Sequence, residues 1–136
     1  TDLPTHGDFI LATSSPDDWR SPQNTNLWQG VSGVNNPCPS GYRLPTEIEL
    51  NAERLSWSTN TSAGAFASPL KLTVAGFRNY GNGNLVSVNG TGFYWCSAVN
   101  GANSYALYFN NPFLGGLVRM TTSSRGYGSS VRCLKN

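Results

Sequence analysis

The apolar residues of the chain follow two different spacings. In the stretch after residue 45, Ile48, Ala52 and Leu55 recur at i, i+4 and i+7, the spacing of an amphipathic helix. Thr46 and Glu49 stand three residues apart, as in a capping box, where a hydroxyl and a carboxylate bind the free amides of the first helical turn. The sequence therefore predicts one main helix that begins at about Thr46 and lays its apolar stripe on a sheet.

Elsewhere apolar and polar residues alternate in short runs, which is typical of strands. Residues 8–13 and 70–77 read as two early strands, and 14–29 as a long polar loop between the first of them and the helix. The Asn82-Gly83 pair within 80–84 predicts a hairpin turn, because Asn and Gly accept positive φ angles. Residues 63–67 fit one short helical turn. The distal half predicts a meander with strands at 85–88, 92–99, 104–109, 117–121 and 129–134. We predict an α+β fold with one main helix on short antiparallel strands and long loops.

Size and hydropathy indicate one globular domain. The chain has 136 residues and is 38% hydrophobic, so we expect a single domain over 1–136 with its own core. No apolar run approaches the length of a membrane span and no leader-like segment opens the chain, so we expect no membrane insertion and no retained signal peptide. The start at Thr1 suggests a domain excised from a larger surface protein.

Charge is unevenly placed along the chain. All 7 acidic residues precede residue 54, and the part from Arg54 onward carries cations only. A basic half could attract anionic glycans, whereas mixing of the two halves in a compact fold would offset the charges. The cations are dispersed, so we expect no nucleic-acid partner.

The residue types exclude most enzyme chemistry. The single histidine, His6, lies near the amino terminus, away from any core nucleophile, and zinc ligands are lacking. Glu47, Glu49 and Glu53 are explained by their place on the predicted helix, where the dipole favours acids in the first turn. We expect the domain not to be an enzyme.

Three segments together resemble a known bacterial family. NPCPSGYRLPTEIELNAE, GFYWCSAV at 92–99 and RGYGSSVRCLKN at 125–136 are similar to the Fibrobacter succinogenes major paralogous domain family. The resemblance implies a C-type-lectin-like fold, related to the formylglycine-generating sulfatase-modifying domains and common in bacterial adhesins and hypervariable receptors. Those enzymes need a pair of reactive cysteines, so their activity is not carried over.

The resemblance also implies how the cysteines are used. In a lectin-like fold the first helix packs against the last strand, which would bring Cys38 to Cys133. A disulfide there implies an oxidising compartment, and we expect an extracellular or cell-surface location. Cys96 would remain as a buried free thiol.

The resemblance places a ligand face on the distal loops and strands. The side chains of this face carry amide, hydroxyl, aromatic and cationic groups, which suit the binding of sugar rings. The alternative is that some of these residues belong to the core or to turns. The candidates are Asn100, Asn103, Tyr105, Tyr108, Asn110, Asn111, Phe113, Arg119, Thr121, Ser123, Arg125 and Tyr127.

Calcium is a separate question, because calcium-dependent lectins of this fold use carboxylate triplets that this distal half lacks. We predict that no cofactor is required. If Ca²⁺ takes part, Asp17 and Asp18 in the early loop would bind it through their carboxylates, with the side-chain oxygen of Asn24 or Asn26. Such residues also cap turns, which is the alternative explanation. Trp19 and Trp28 are expected to plug that loop onto the core, and Arg20 to pair with Asp17 or Asp18.

Two functions remain open. The first is an extracellular carbohydrate-binding adhesin module, part of a larger adhesin chain, with glycans on host or neighbouring cells as partners. The second is a protein-binding or structural interaction module of the same fold.

Overall fold

A computed structural model describes all residues, 1–136, as an α+β fold with few helices and several antiparallel strands. In chain order the elements are β1 (Tyr42–Arg43), α1 (Glu47–Leu55), α2 (Ser62–Ala67), β2 (Phe77–Arg78), β3 (Leu85–Val86), β4 (Thr91–Asn100), β5 (Asn103–Asn110), a 3-10 turn (Pro112–Leu114), β6 (Val118–Ser124) and β7 (Leu134–Lys135). None of its helices combines the length and the apolar composition that a transmembrane span needs.

A three-stranded antiparallel sheet in the order β4-β5-β6 forms the centre of the fold. Successive side chains point to opposite sides, so the sheet has two differently used faces. We call the side of Leu107 and Phe109 the helix face, because these residues share a core with Leu50 of α1. We call the other side, with Trp95 and Ala106, the cleft face.

The predicted capping box of α1 is confirmed. The Thr46 hydroxyl accepts from the Glu49 amide, and the Glu49 carboxylate accepts from the Thr46 amide at 2.8 Å. The prediction for its apolar stripe was wrong: Ile48 and Leu55 are 77% and 66% exposed, and only Leu50 is buried. The helix docks on the sheet through this one leucine, so the stripe lies on the opposite, solvent side.

Two predicted early strands were also wrong. Residues 8–13 make one backbone hydrogen bond to a distant segment, from the Ala12 amide to the Tyr80 carbonyl, and have no strand neighbour. Along 70–77 the predicted alternation in burial is present, with Leu72 buried and Lys71 and Thr73 exposed, but only Phe77 joins a ladder. Alternation reports an extended backbone, whereas a strand also needs a hydrogen-bonded neighbour.

The distal strands were predicted well, apart from their ends. β4, β5 and β6 fall within a few residues of the predicted ranges, and 80–84 forms the turn between β2 and β3. The strand predicted at 85–88 stops at Val86, because Ser87 turns away with a φ of 52°. That predicted at 129–134 reduces to β7 and a single bridge at Ser130.

The carboxy terminus is joined to the segment that precedes α1. The predicted disulfide is present between Cys38 and Cys133, with 5.8 Å between their Cα atoms. Next to it β1 pairs with β7, and the Asn136 amide donates to the Gly41 carbonyl at 3.0 Å. Cys96 is a buried free thiol, as expected.

Glu49 links the start of α1 to β1 and should make stability depend on pH. Its carboxylate forms a two-bond ion pair with the Arg43 guanidinium at 2.7 and 2.8 Å, and this lowers the pKa of Glu49 from 4.5 to about 2. A lowered pKa stabilises the fold above pH 4.5, and this contribution is lost as the pH falls towards 2. Because the Glu49 side chain is 38% exposed, we expect no more than about 1 kcal/mol from the pair.

Urea unfolding at neutral pH and near pH 3 tests this expectation. Glu49→Gln should be less stable than the parent at neutral pH, and the difference should shrink in acid. Glu47→Gln, a change at another first-turn acid, is the matched control. An equal pH dependence in parent and Glu49→Gln would contradict the assignment.

Candidate functional site

A cleft lined by indole rings lies between the early loop and the cleft face of the sheet. It consists of two adjoining cavities of about 40 and 240 Å³, and both are lined by Trp19, Trp28, Trp95 and Arg125. We call it the indole cleft. The smaller cavity also contacts Asp18, Asn24, Thr25, Leu27, Gln29, Cys96, Ser97, Val99 and Ser104, and the larger contacts Pro4, Asp8, Phe9, Ile10, Asn35, Gly126, Tyr127, Gly128 and Ser129.

The three indoles are held in different ways. Trp95 is buried at 2% exposure on β4, whereas Trp19 and Trp28 come from the loop and are half-buried. Only Trp28 donates its N–H within the chain, to the Asn35 side-chain oxygen at 3.1 Å. The indole nitrogens of Trp19 and Trp95 make no hydrogen bond within the chain, and neither is fully enclosed. The cleft thus offers partly exposed ring faces and free indole donors.

A buried ion pair closes one side of the cleft. The side chains of Arg125 and Asp18 are 8% and 4% exposed, with 3.7 Å between Arg125 Nη1 and Asp18 Oδ2. Arg125 Nη2 donates to the Gly101 carbonyl at 2.8 Å, while Nε and Nη1 have no hydrogen-bond partner. Asp18 Oδ1 accepts from the Arg20 amide and Oδ2 from Gln23 Nε2 at 2.9 Å. The pair ties the early loop to the segment after β6.

The same contacts bear on calcium. The Asp18 carboxylate already faces a guanidinium and two N–H donors, and no group of three or more His, Cys, Asp or Glu side chains is gathered anywhere. The Asn24 side chain donates to the Asp2 carboxylate and accepts from the Asn26 amide. Arg20 pairs with Asp2, not with Asp17 or Asp18 as predicted. The oxygens of Asp18 and Asn24 are therefore already engaged by other groups of the chain.

The structure divides the predicted ligand residues between the two ends of the sheet. Asn103 and Asn110 stand at opposite ends of β5, which over its eight residues separates them by about 23 Å. Asn100 lies opposite Asn103 at the β4–β5 turn, at the same end as Arg125. The turn with Phe113 lies beyond the other end of β5. The predicted residues therefore do not form one surface.

At the end beyond Asn110, the asparagines stabilise the turn. Asn110 is 5% exposed, donates to the Leu114 carbonyl at 2.8 Å and accepts from the Leu117 amide. Asn111 caps the 3-10 turn by accepting from the Leu114 amide and donates to the Asn89 carbonyl. Phe113 is 96% exposed at the tip of this turn.

Four other predicted residues lie on the cleft face. The ladder register places Tyr108, Arg119, Thr121 and Ser123 on the side of Ala106. The Arg119 guanidinium lies 5.6 Å from the centre of the Tyr108 ring, a cation–π contact. Tyr105 lies on the helix face, against the core. On β6 the cleft face thus runs from Ser123 to Arg119, of which Arg119 is exposed.

Tyr127 lines the larger cavity and joins an aromatic group beside it. Its ring packs edge-on against Tyr80 and Phe77, with centroids 4.8 and 5.6 Å away. Burial raises the pKa of the Tyr127 hydroxyl above its usual value, and Tyr80 and Asp17 add to the rise. Tyr127 therefore stays neutral and can act as a hydrogen-bonding group.

Cys96 offers no reactive thiolate. Burial raises the pKa of its thiol to about 12, with a further contribution from the Glu47 charge. A thiol with such a pKa is protonated at neutral pH and behaves as a small apolar core residue.

The sequence does not predict the tryptophans as lining residues, because a polar loop of this kind favours indoles that plug it onto the core. A signal was present at Trp95, which alternates with Tyr94 and Cys96 and so had to face away from the helix core.

Comparison of the chain with models of known protein families, with curated proteins and with solved structures found no match.

Proposed function

We propose that this domain binds carbohydrate in the indole cleft, without a bound metal ion, as an extracellular module of a larger bacterial adhesin. The observation that carries the proposal is the convergence of Trp19, Trp28 and Trp95 on one open cleft. We further propose that the fold is C-type-lectin-like. One main helix, a carboxy terminus joined to the segment before that helix, and a long early loop beside the sheet support that assignment.

The chemistry of the cleft suits a sugar ring. An indole presents a flat apolar surface to the C–H side of a pyranose and can still donate its N–H to a hydroxyl. Trp19 supplies both a partly exposed ring and a free donor. Ser104 and Thr25 add hydroxyls at the wall of the smaller cavity. Ligand sites commonly combine such apolar walls with a few placed polar groups.

Charge favours a neutral sugar over an acidic one. Arg125, which lines the cleft, faces Asp18, and Arg20, next to Trp19 in the chain, pairs with Asp2, so both arginines already have a counter-charge. An anionic ligand would approach the Asp18 carboxylate as well as Arg125. We therefore expect binding that changes little when salt shortens the screening length to a few ångströms, and that survives EDTA.

A glycan array tests the proposal. The parent should bind a coherent class of neutral sugars, and Trp19→Ala and Ser104→Ala should weaken binding to them. Phe113→Ala, at an exposed aromatic residue beyond the other end of β5, should bind like the parent. Urea unfolding of each variant separates lost binding from lost folding. Loss of binding in Phe113→Ala alone would move the site to the distal turn.

A protein-binding module is the second candidate, favoured by the apolar distal turn. Phe113, Leu114 and Leu117 are 96%, 52% and 44% exposed there. Aromatic and aliphatic side chains of this kind act as anchors in protein interfaces. Silence of the parent across a broad array would favour this candidate.

A further inference from the structure

The outer edge of β6 presents backbone groups that no other segment uses. β6 is an end strand of the sheet, and the Asn110 amide donates to the Leu117 carbonyl at 2.9 Å. Antiparallel hydrogen bonding alternates along a strand, so 119, 121 and 123 bond inward to β5 in the observed register. The N–H and C=O groups that point outward are therefore those of Val118, Met120, Thr122 and Ser124. Among them only the Ser124 carbonyl has a backbone partner, the Tyr127 amide.

The two edges of the sheet differ in protection. The outer edge of β4 is covered by Ser130, which accepts from the Trp95 amide and donates to the Phe93 carbonyl. β6 has seven residues in unbroken register, without proline or bulge, and Arg119 is its only charge. Proteins usually block such an edge with charges, prolines or bulges, because it is a template for another strand.

We propose that β6 pairs antiparallel with β6 of a second copy of this chain, centred on Thr121. In that register Thr121 faces its own symmetry mate, and Arg119 faces Ser123, so the only charges on the strand are kept apart. Met120 then lies opposite Thr122, and Val118 opposite Ser124, which joins the outward groups in hydrogen-bonded pairs. This register therefore places the outward groups of the two strands opposite each other and opposes no like charges, although the Ser124 carbonyl already accepts from the Tyr127 amide.

The pairing has a geometric consequence for the cleft. Antiparallel strands of two copies are related by a two-fold axis normal to the sheet, so the same face of each copy points to the same side. A six-stranded sheet would display both indole clefts in one direction. If the proposed function holds, two clefts of this kind would bind a sugar-coated surface more tightly than one, through a high effective concentration. The dimer itself does not depend on the ligand.

The expected association is weak. One strand edge buries less than the roughly 800 Å² per partner of a standard stable interface, so the dimer should form only at high protein concentration. Sedimentation velocity over a dilution series of the full chain, without ligand, should show a reversible monomer–dimer equilibrium.

Two variants test the strand edge. Thr122→Pro removes an outward N–H, which edge strands tolerate, and should abolish the dimer, whereas Thr122→Val keeps the amide and should dimerise like the parent. Thr121→Arg places two guanidinium groups opposite each other and should weaken the dimer, with recovery at high salt. A parent that stays monomeric at the highest concentration, or a dimer that persists in Thr122→Pro and Thr121→Arg, would overturn the proposal.

Discussion

Replacing Asp18 by alanine is expected to lower the free energy of unfolding by about 3–5 kcal/mol, because it leaves the buried Arg125 guanidinium without its counter-charge. The side chains of Arg125 and Asp18 are only 8% and 4% exposed, so the guanidinium charge stays largely desolvated when its partner is removed. Urea unfolding, extrapolated to water, measures the loss.

A double-mutant cycle separates this pair from ordinary truncation. Arg125→Met should cost a similar amount, and Asp18→Ala combined with Arg125→Met should cost much less than the sum of the two single losses, since no charge then remains buried. Arg132→Ala, at an exposed arginine without an ion pair, is the control and should be nearly neutral. Additive losses in the cycle would show that the two groups do not interact. This expectation also changes the role of Arg125, which the sequence suggested as a ligand contact.

Replacing Cys38 and Cys133 together by serine is expected to destabilise the domain by about 4–5 kcal/mol. The disulfide spans a sequence separation of 95, and closing a loop of that length restricts the unfolded chain by about this amount in the entropic model. It also removes the covalent support of the short pairing between β1 and β7.

The measurement is urea unfolding of the double variant against the parent, with and without reductant. Reduced parent should approach the stability of the variant, and reductant should leave the variant unchanged. If the free energy of unfolding of the variant lies within about 1 kcal/mol of that of the oxidised parent, the entropic account is contradicted.

The parts of the fold set by short-range chemistry were predictable from sequence. The capping box located the start of α1, and Asn-Gly located the β2–β3 turn. β4 and β5 were predictable because successive residues face two buried sides of the sheet. The run of apolar residues along each strand reflects this burial on both faces.

The parts set by neighbours were not predictable. Leu72 alternates correctly but has no strand beside it, and Ile48 belongs to an apolar stripe that faces solvent because α1 docks through Leu50 alone. The site has the same limit. Arg125 and Asp18 are far apart in sequence, and no local sequence pattern predicts that they meet beside Trp19.

The central claim is that a sugar contacts the indole cleft, and the four tryptophans allow it to be tested directly. In a heteronuclear NMR titration with a sugar selected on the array, the indole N–H signals of Trp19 and Trp95 should shift and saturate. Trp57 is an internal control, because its N–H donates to Glu53 on the helix side of the sheet. The predicted result is a saturable shift of the Trp19 and Trp95 indole N–H signals, while the Trp57 signal stays in place. Binding that leaves both cleft indoles unmoved would contradict the account.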